Sequence, residues 1–403
     1  MTRTSDFSLI AAAACARAAT AGCTGVLLGI FLGAGGHGPG TIGLVVGAGI
    51  AGAALMTAIV AYRADRAGRR RTLIALGLLS AAGLAGVAYV TNPVGLVLTA
   101  FAGMVNGMGR DRGPAGAIEQ AMLPQTTTAE GRTWVLAWYN VVLDAGHAAG
   151  AAAAAIPSLL VATGWSGAAA HRAMFLGGAC AVAIGAVAYA FCSPRVETVA
   201  ESGARPAADP ETRSRVWRLA ALFGVDSVGG GFLSSALVAY WFLHRYGVSE
   251  SAVAALFFGA RVLNALSHIG AAWLARRIGL LNTMVFTHLP SSVFLLVAPI
   301  APSAPLAAAL FLAREGLVEM DVPTRQSYVM AVVPPDRRTF ASGVTNLTRT
   351  GGWAVGAGIA GAAMQHIALA APLVIGGLLK IGYDVALYRS FRHVRPPEET
   401  LSN

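Results

Sequence analysis

Arg110, Asp111 and Arg112 stand in a row within "GMGRDRGPAGAIEQAMLP", residues 107–124, and Glu119 follows two helical turns later. Such residues can grip a charged ligand or pass a proton. Their surroundings are odd for that work, because the preceding "PVGLVLTAFAGMVN" is apolar enough for the middle of a membrane. A charge at mid-bilayer costs at least ~2.5–3.5 kcal/mol even on the lenient insertion scale. The four charges must therefore face protein or a watery cavity. Gly107, Gly109, Gly113 and Pro114 surround them and predict a helix that bends or opens locally, freeing carbonyls to accept from a ligand.

Other ionisable residues interrupt apolar runs in the same way. Arg17 lies in the first run, Asp226 precedes "SVGGG", and Arg314, Glu315, Glu319, Asp321 and Arg325 crowd a later one. Asp321 and Arg325 have the i, i+4 spacing of a local pair. Buried opposite charges often only hold helices in register, so structural pairing stands beside a transport role for each of them. A carboxylate whose hydration and neighbouring charges change between two conformations loads and releases a proton. Asp226 is the expected principal carrier, because no arginine lies within one helical turn of it; Glu119 and Asp321 come next. The glycines at 229–231 are expected to let the helix bend beside Asp226.

Asp144 and His147 are three apart and could be half of a metal site completed by His268; with Asp111 and Glu119 they are the basis of an alternative reading as a divalent-metal exporter. A histidine bonded to a carboxylate between packed helices is the simpler account. Cys15, Cys23, Cys180 and Cys192 lack metal spacing and read as buried free thiols. "GAGIAG" occurs at 47–52 and 356–361 and fits the dinucleotide fingerprint. Neither copy follows a strand, and small residues four apart serve close helix packing in lipid. No nucleophile elbow, zinc helix or phosphate loop is found, so no enzyme and no cofactor are expected.

The elements that must position these residues are membrane spans. Of 403 residues, 56% are hydrophobic and only 12% charged, against roughly 25% charged in soluble domains. Runs near the ~20 residues a spanning helix needs fall at 8–32, 41–61, 72–90, 95–122, 133–161 and 171–192, then at 216–243, 251–275, 280–299, 304–333, 339–363 and 366–388. The first is read as a retained helix. The net charge of +10 sits in alternate connections: 63–71, Arg132, 195–215, Arg276 with Arg277, Arg337 with Arg338, and 389–395. The intervening "GAGGHGPG", "TNPV" and "APIAPSAP" carry none. That is the positive-inside pattern, with both termini cytoplasmic and lipid, not nucleic acid, as the partner.

The chain also repeats itself. "EGRTWVLAWYNVVLDAGHAAGA" from Glu130 parallels "DRRTFASGVTNLTRTGGWAVGA" from Asp336: Arg132 matches Arg338, Gly146 matches Gly352, and Gly150 matches Gly356. Two six-helix halves, 1–192 and 216–403, joined by a polar linker at 193–215, are the expected domains of an all-α membrane protein. Repeated bundles around a central site suit a secondary transporter.

"AYRADRAGRRRTL" resembles the loop between the second and third helices of the major facilitator superfamily, through Asp65, Arg66, Gly68, Arg69, Arg70 and Leu73. Ala61 replaces the family's first glycine, and in the second copy Arg276 replaces the acid. The resemblance implies twelve transmembrane helices in two pseudo-symmetric bundles, with helices one, four, seven and ten lining the pathway. It also implies that the second and eleventh helices, which carry "GAGIAG", face each other, and that Arg261 neighbours Asp144. By this reading Arg17, Arg110, Asp111, Arg112, Arg314 and Glu315 bind substrate, while Asp65, Arg66, Gly68, Arg69 and Arg338 form a gate. The expectation is a monomeric, proton-coupled carrier in a bacterial inner membrane, working by alternating access and exporting a small anionic or zwitterionic solute. A non-transporting solute sensor is the alternative from another class.

Overall fold

The computed structural model describes residues 3–111, 113–128, 131–197, 210–333 and 338–393. Their regular structure is helical. In chain order the helices are α1 (Arg3–Ala34), α2 (Pro39–Ala67), α3 (Arg69–Tyr89), α4 (Pro93–Gly103), α5 (Pro114–Met122), α6 (Arg132–Ala153), α7 (Ile156–Ala162) and α8 (Gly167–Ala188). Then follow α9 (Pro210–Phe232), α10 (Ser235–Tyr246), α11 (Glu250–Ile278), α12 (Leu280–Val297), α13 (Ala304–Val318), α14 (Asp321–Val332), α15 (Arg338–His366) and α16 (Ala371–Phe391).

Among the described residues, nine runs are long and apolar enough to cross a membrane. The expected fourth, tenth and eleventh spans are missing from that set, and each departs for a reason visible in its residues. The fourth is split into α4 and α5, and the tenth into α13 and α14. Both restart close to a proline, Pro114 and Pro323, which suits a first turn because its missing N–H has no partner to lose there. The eleventh, α15, has the length at 29 residues but is diluted by arginine, threonine and asparagine.

The chain divides into two compact units: Met1–Ser202 with Ser234–Phe258, and Gly203–Leu233 with Gly259–Asn403. In the first, α1 packs on α6 and α8, α3 on α8, and α2 on α4, while α10 lies against α1. In the second, α9 packs on α15 and α16, and α12 packs on α13, α14 and α16. Each has its own apolar core. Ile10, Leu73, Met122 and Tyr139 belong to the first; Leu219, Phe223, Met284 and Tyr328 belong to the second.

The sequence repeat has a packing cause. A side chain at Gly146 or Gly150 would run into the α1 backbone at Cys15 and Ala19, and one at Gly352 or Gly356 into the α9 backbone at Gly224 and Val228. The matched glycines therefore let α6 approach α1, and α15 approach α9, by the same device. The "GAGIAG" glycines also serve close packing. Gly49 and Gly52 are occupied by close approach to Val105 and Phe101, and Gly356 by α9, each within its own unit. Both copies lie in continuous helix, so packing stands as their role.

The glycines after Asp226 also depart from expectation. Helix α9 runs unbroken through Gly229, Gly230 and Gly231 and ends only at Phe232. Added side chains there would meet Gly376, Trp353 and Ala357. The three residues bring α15 and α16 close to α9, and the break falls beyond them at Leu233 and Ser234.

Candidate functional site

In the first unit the opened stretch between α4 and α5 carries the charges. Helix α4 stops where Met104 adopts a left-handed conformation (φ 54°), and Gly109 has φ 72°. Asn106 secures the turn: its Nδ2 donates to the Arg110 carbonyl at 2.5 Å, and its Oδ1 accepts from the Met108 amide at 2.8 Å. The Asp111 amide donates to His147 Nε2 at 2.8 Å. That bond makes Nε2 an acceptor, so His147 is neutral at this nitrogen and pins the loop to α6.

Arg17 reaches this loop from α1. Its Nε donates to Asp111 Oδ2 at 2.5 Å, and its guanidinium grips Glu119 at 2.6 and 3.1 Å. Tyr139 from α6 donates to Glu119 Oε2 at 2.6 Å, and the Tyr189 hydroxyl donates to Oε1 while accepting from Arg17 at 3.0 Å. Glu119 is fully buried, at 0% exposure. A buried carboxylate is tolerable only with its oxygens satisfied and its charge paired, and Arg17 with two tyrosines does both. Arg110 is half-buried beside them. Arg112 lies outside the described residues.

In the second unit Asp226 is far from isolated. Lys380 Nζ on α16 donates to its Oδ1 at 2.7 Å, and Arg325 on α14 donates to its Oδ2 at 3.2 Å. Arg325 also pairs with Asp321 at 2.8 Å, so the i, i+4 pair forms as its spacing suggests. No arginine lies within one helical turn of Asp226, yet cationic partners 99 and 154 residues away reach it. His288 and Asp384 complete the group. A second cluster joins Arg314 to Glu315, whose Oε2 and carbonyl both accept from Asn264 Nδ2 at 2.8 Å.

The residues of the loop signature are built around a partner that motif reading missed, Glu197. Gly68 joins α2 to α3 alone, at φ 93°, a conformation that glycine reaches without strain. Arg69 and Arg70, the first residues of α3, donate their amides to Glu197 at 2.6 and 3.1 Å. Arg70 Nε adds a bond to the same carboxylate at 3.0 Å, and its guanidinium reaches the Cys192 carbonyl at 2.7 Å. Arg69 donates to the carbonyls of Val196 and Ala121. These arginines thus bind carbonyls of their own unit. Arg66 is exposed. The side chains of Asp65 and Arg338 lie outside the described set.

Burial alone would raise the Glu197 carboxyl, but the amides of Arg70 and Arg69 and the Arg70 guanidinium hold it below its ordinary range. A carboxyl depressed on folding adds stability above its unfolded value of about 4.3 and loses it as pH falls through the folded value. Glu197→Gln should therefore cost about 1 kcal/mol at pH 7, as for a lost helix cap. The gap between variant and wild type in thermal unfolding should close as the solution is acidified. An equal gap at both ends would contradict this role.

Among the described residues, no three of His, Cys, Asp or Glu gather as a metal site. Asp144 is exposed and His147 is engaged with the loop. The four cysteines are free thiols, but only Cys192 is buried; Cys15 and Cys23 are half-buried and Cys180 is exposed, which corrects the expectation of burial for all four. Of the residues that reasoning from sequence missed, Lys380 and Asp384 left a signal: they are the charges inside the last span, four apart. Tyr139, Tyr189, His288 and Asn264 left none.

A family profile described as Major Facilitator Superfamily matches residues 10–391. Uncharacterized membrane protein YJR124C of Saccharomyces cerevisiae is 27% identical over 419 residues, covering 95% of this chain and 93% of the yeast protein. Among solved structures, a bacterial homolog of the human lysosomal transporter Spinster, inward-facing and occupied, superimposes with a TM-score of 0.75 at 14% identity, covering 96% of this chain and 97% of that one. The nucleoside transporter NupG gives a TM-score of 0.72 at 14% identity, covering 96% and 98%. At such identity the likeness is one of fold.

Proposed function

The chain belongs to the major facilitator superfamily, and from that premise we propose that it is a proton-coupled secondary transporter working by alternating access. It is a multi-pass membrane transporter of small solutes and not an enzyme. In the proposed reading, residues 1–192 and 216–403 are its two six-helix halves, joined at 193–215, and both termini face the cytoplasm. The membrane is a bacterial inner membrane, the chain acts as a monomer, and export is the favoured direction. The single observation that carries the reading is where charge is buried: on the spans that the helix geometry breaks, and on their direct neighbours.

Arg17, Arg110, Asp111, Arg112, Arg314 and Glu315 are the proposed substrate-binding set. Arg17, Arg110 and Arg314 favour an anionic or zwitterionic solute. Asp226, Glu119 and Asp321 are the proposed coupling carboxylates, each with a cation whose approach or withdrawal changes its hold on a proton. Asp65, Arg66, Gly68, Arg69 and Arg338 form the proposed gate at the arginine-rich ends of the helices.

The test is flux. Solutes that raise the unfolding temperature of the purified chain, drawn from a panel of dicarboxylates and amino acids, are offered to proteoliposomes under an imposed pH gradient. Solute movement with concurrent collapse of the gradient is expected. A solute that binds but crosses no faster than in protein-free vesicles would replace the carrier with a sensor.

A further inference from the structure

The second unit holds a connected set of buried charges whose sum is not zero. Asp226, Asp321 and Asp384 bring three carboxylates; Lys380 and Arg325 bring two cations. The sixth member is His288 on α12. Its Nδ1 lies 2.9 Å from both oxygens of Asp384, and its Nε2 lies 3.4 Å from Lys380 Nζ and 3.7 Å from Asp226 Oδ1. His288 and Asp384 are 1% and 0% exposed.

We infer that the His288–Asp384 pair is a proton-binding site of this chain, and that Lys380 reports its occupancy to Asp226. Uncompensated charge is costly to bury in a membrane protein. With the pair unprotonated the set carries one excess negative charge; with one proton it is neutral. Lys380 and Asp384 face His288 from α16, where Tyr383 offers an uncharged ring edge-on at 6.0 Å. Asp226 faces it from α9, and Arg325 with Asp321 stands behind Asp226 from α14. Glu319, half-buried at the end of α13, also acts on Arg325.

The geometry also says what the proton does. Without it, Nδ1–H donates to Asp384 while Nε2 accepts from Lys380, so the ammonium bridges His288 and Asp226. With it, Nε2 becomes a donor and can no longer accept from Lys380. The ammonium is then left to Asp226 alone, or Nε2–H turns to Asp226 in its place. The Lys380 stem lies along Gly229 and its Nζ beside Gly230, just ahead of the break at Leu233 and Ser234. Proton arrival is thus placed where α9 ends.

The role in transport rests on the proton-coupled reading above; the binding of the proton does not, and the test separates them because it needs no cargo. The full chain in lipid nanodiscs is titrated between about pH 4 and pH 9 beside the double variant His288→Gln/Asp384→Asn. That variant is balanced without a proton, since Asp226 and Asp321 still face Lys380 and Arg325, so it should fold. It should take up one proton fewer per chain than wild type. Asp384→Asn alone, which removes the anion beside the imidazole, should move the same uptake to lower pH by about one unit or more. Equal uptake by wild type and the double variant, or an unmoved midpoint in Asp384→Asn, overturns the inference. If the proton is found but proteoliposomes show no proton-linked flux, the site stands and the coupling falls.

Discussion

Arg17→Met should be among the most destabilising single substitutions in this protein. Methionine keeps the length and apolar stem of arginine, so packing against α6 and α8 is largely retained. What disappears is the cation between Asp111 and Glu119, which Arg17 contacts at 2.5 and 2.6 Å. Glu119 would keep two tyrosine hydroxyls but no counter-charge, in a position with 0% exposure. Breaking a buried pair from one side costs about 3–5 kcal/mol, because the stranded charge has neither water nor partner. Thermal unfolding of the purified chain should show this as a large drop in Tm. Adding Glu119→Gln should recover much of it, since the amide leaves no stranded charge there, its oxygen accepts from one tyrosine and its NH2 donates to the other. If the single variant melts like wild type, Arg17 is not the counter-charge of this site.

Asp226→Asn is expected to strike both stability and coupling. The substitution leaves Lys380 facing His288 and an amide, while Arg325 retains Asp321 at 2.8 Å. Stability should fall by an amount similar to that for Arg17→Met, for the same reason. Asp226→Asn/Lys380→Met removes the pair together and should regain most of the loss. Neither variant should support solute movement driven by a pH gradient, because Lys380 no longer has two partners to choose between; solute binding should persist in the stable double variant. Proteoliposome flux and a thermal-shift binding assay read the two effects separately. A double variant that still builds a solute gradient from a pH gradient would remove Asp226 from the coupling path.

Much of the architecture was legible from residue order alone because a bilayer imposes local rules. A span must be long, apolar and helical by itself, so its presence is written in about 20 consecutive residues. The opening between α4 and α5 was legible for the same reason: glycines, a proline and three charges in a row cannot continue a lipid-facing helix. The repeat was visible too, although its purpose, four glycines admitting a neighbouring backbone, needed the packed helices to be seen.

The partners of the charges were not legible. Asp226 stands without an arginine nearby in the chain, yet Lys380 and Arg325 converge on it from two other helices. Glu119 points to no tyrosine in the sequence, yet Tyr139 and Tyr189 meet on it. Glu197 lies beyond the last residue of its apolar run and caps a helix that begins at Arg69. Sequence alone determined that this is a helical, membrane-spanning, internally repeated carrier with charges inside its spans. Only tertiary structure decided which charge answers which, because pairing depends on helix packing and rotation, and these are settled by side chains from several distant segments at once.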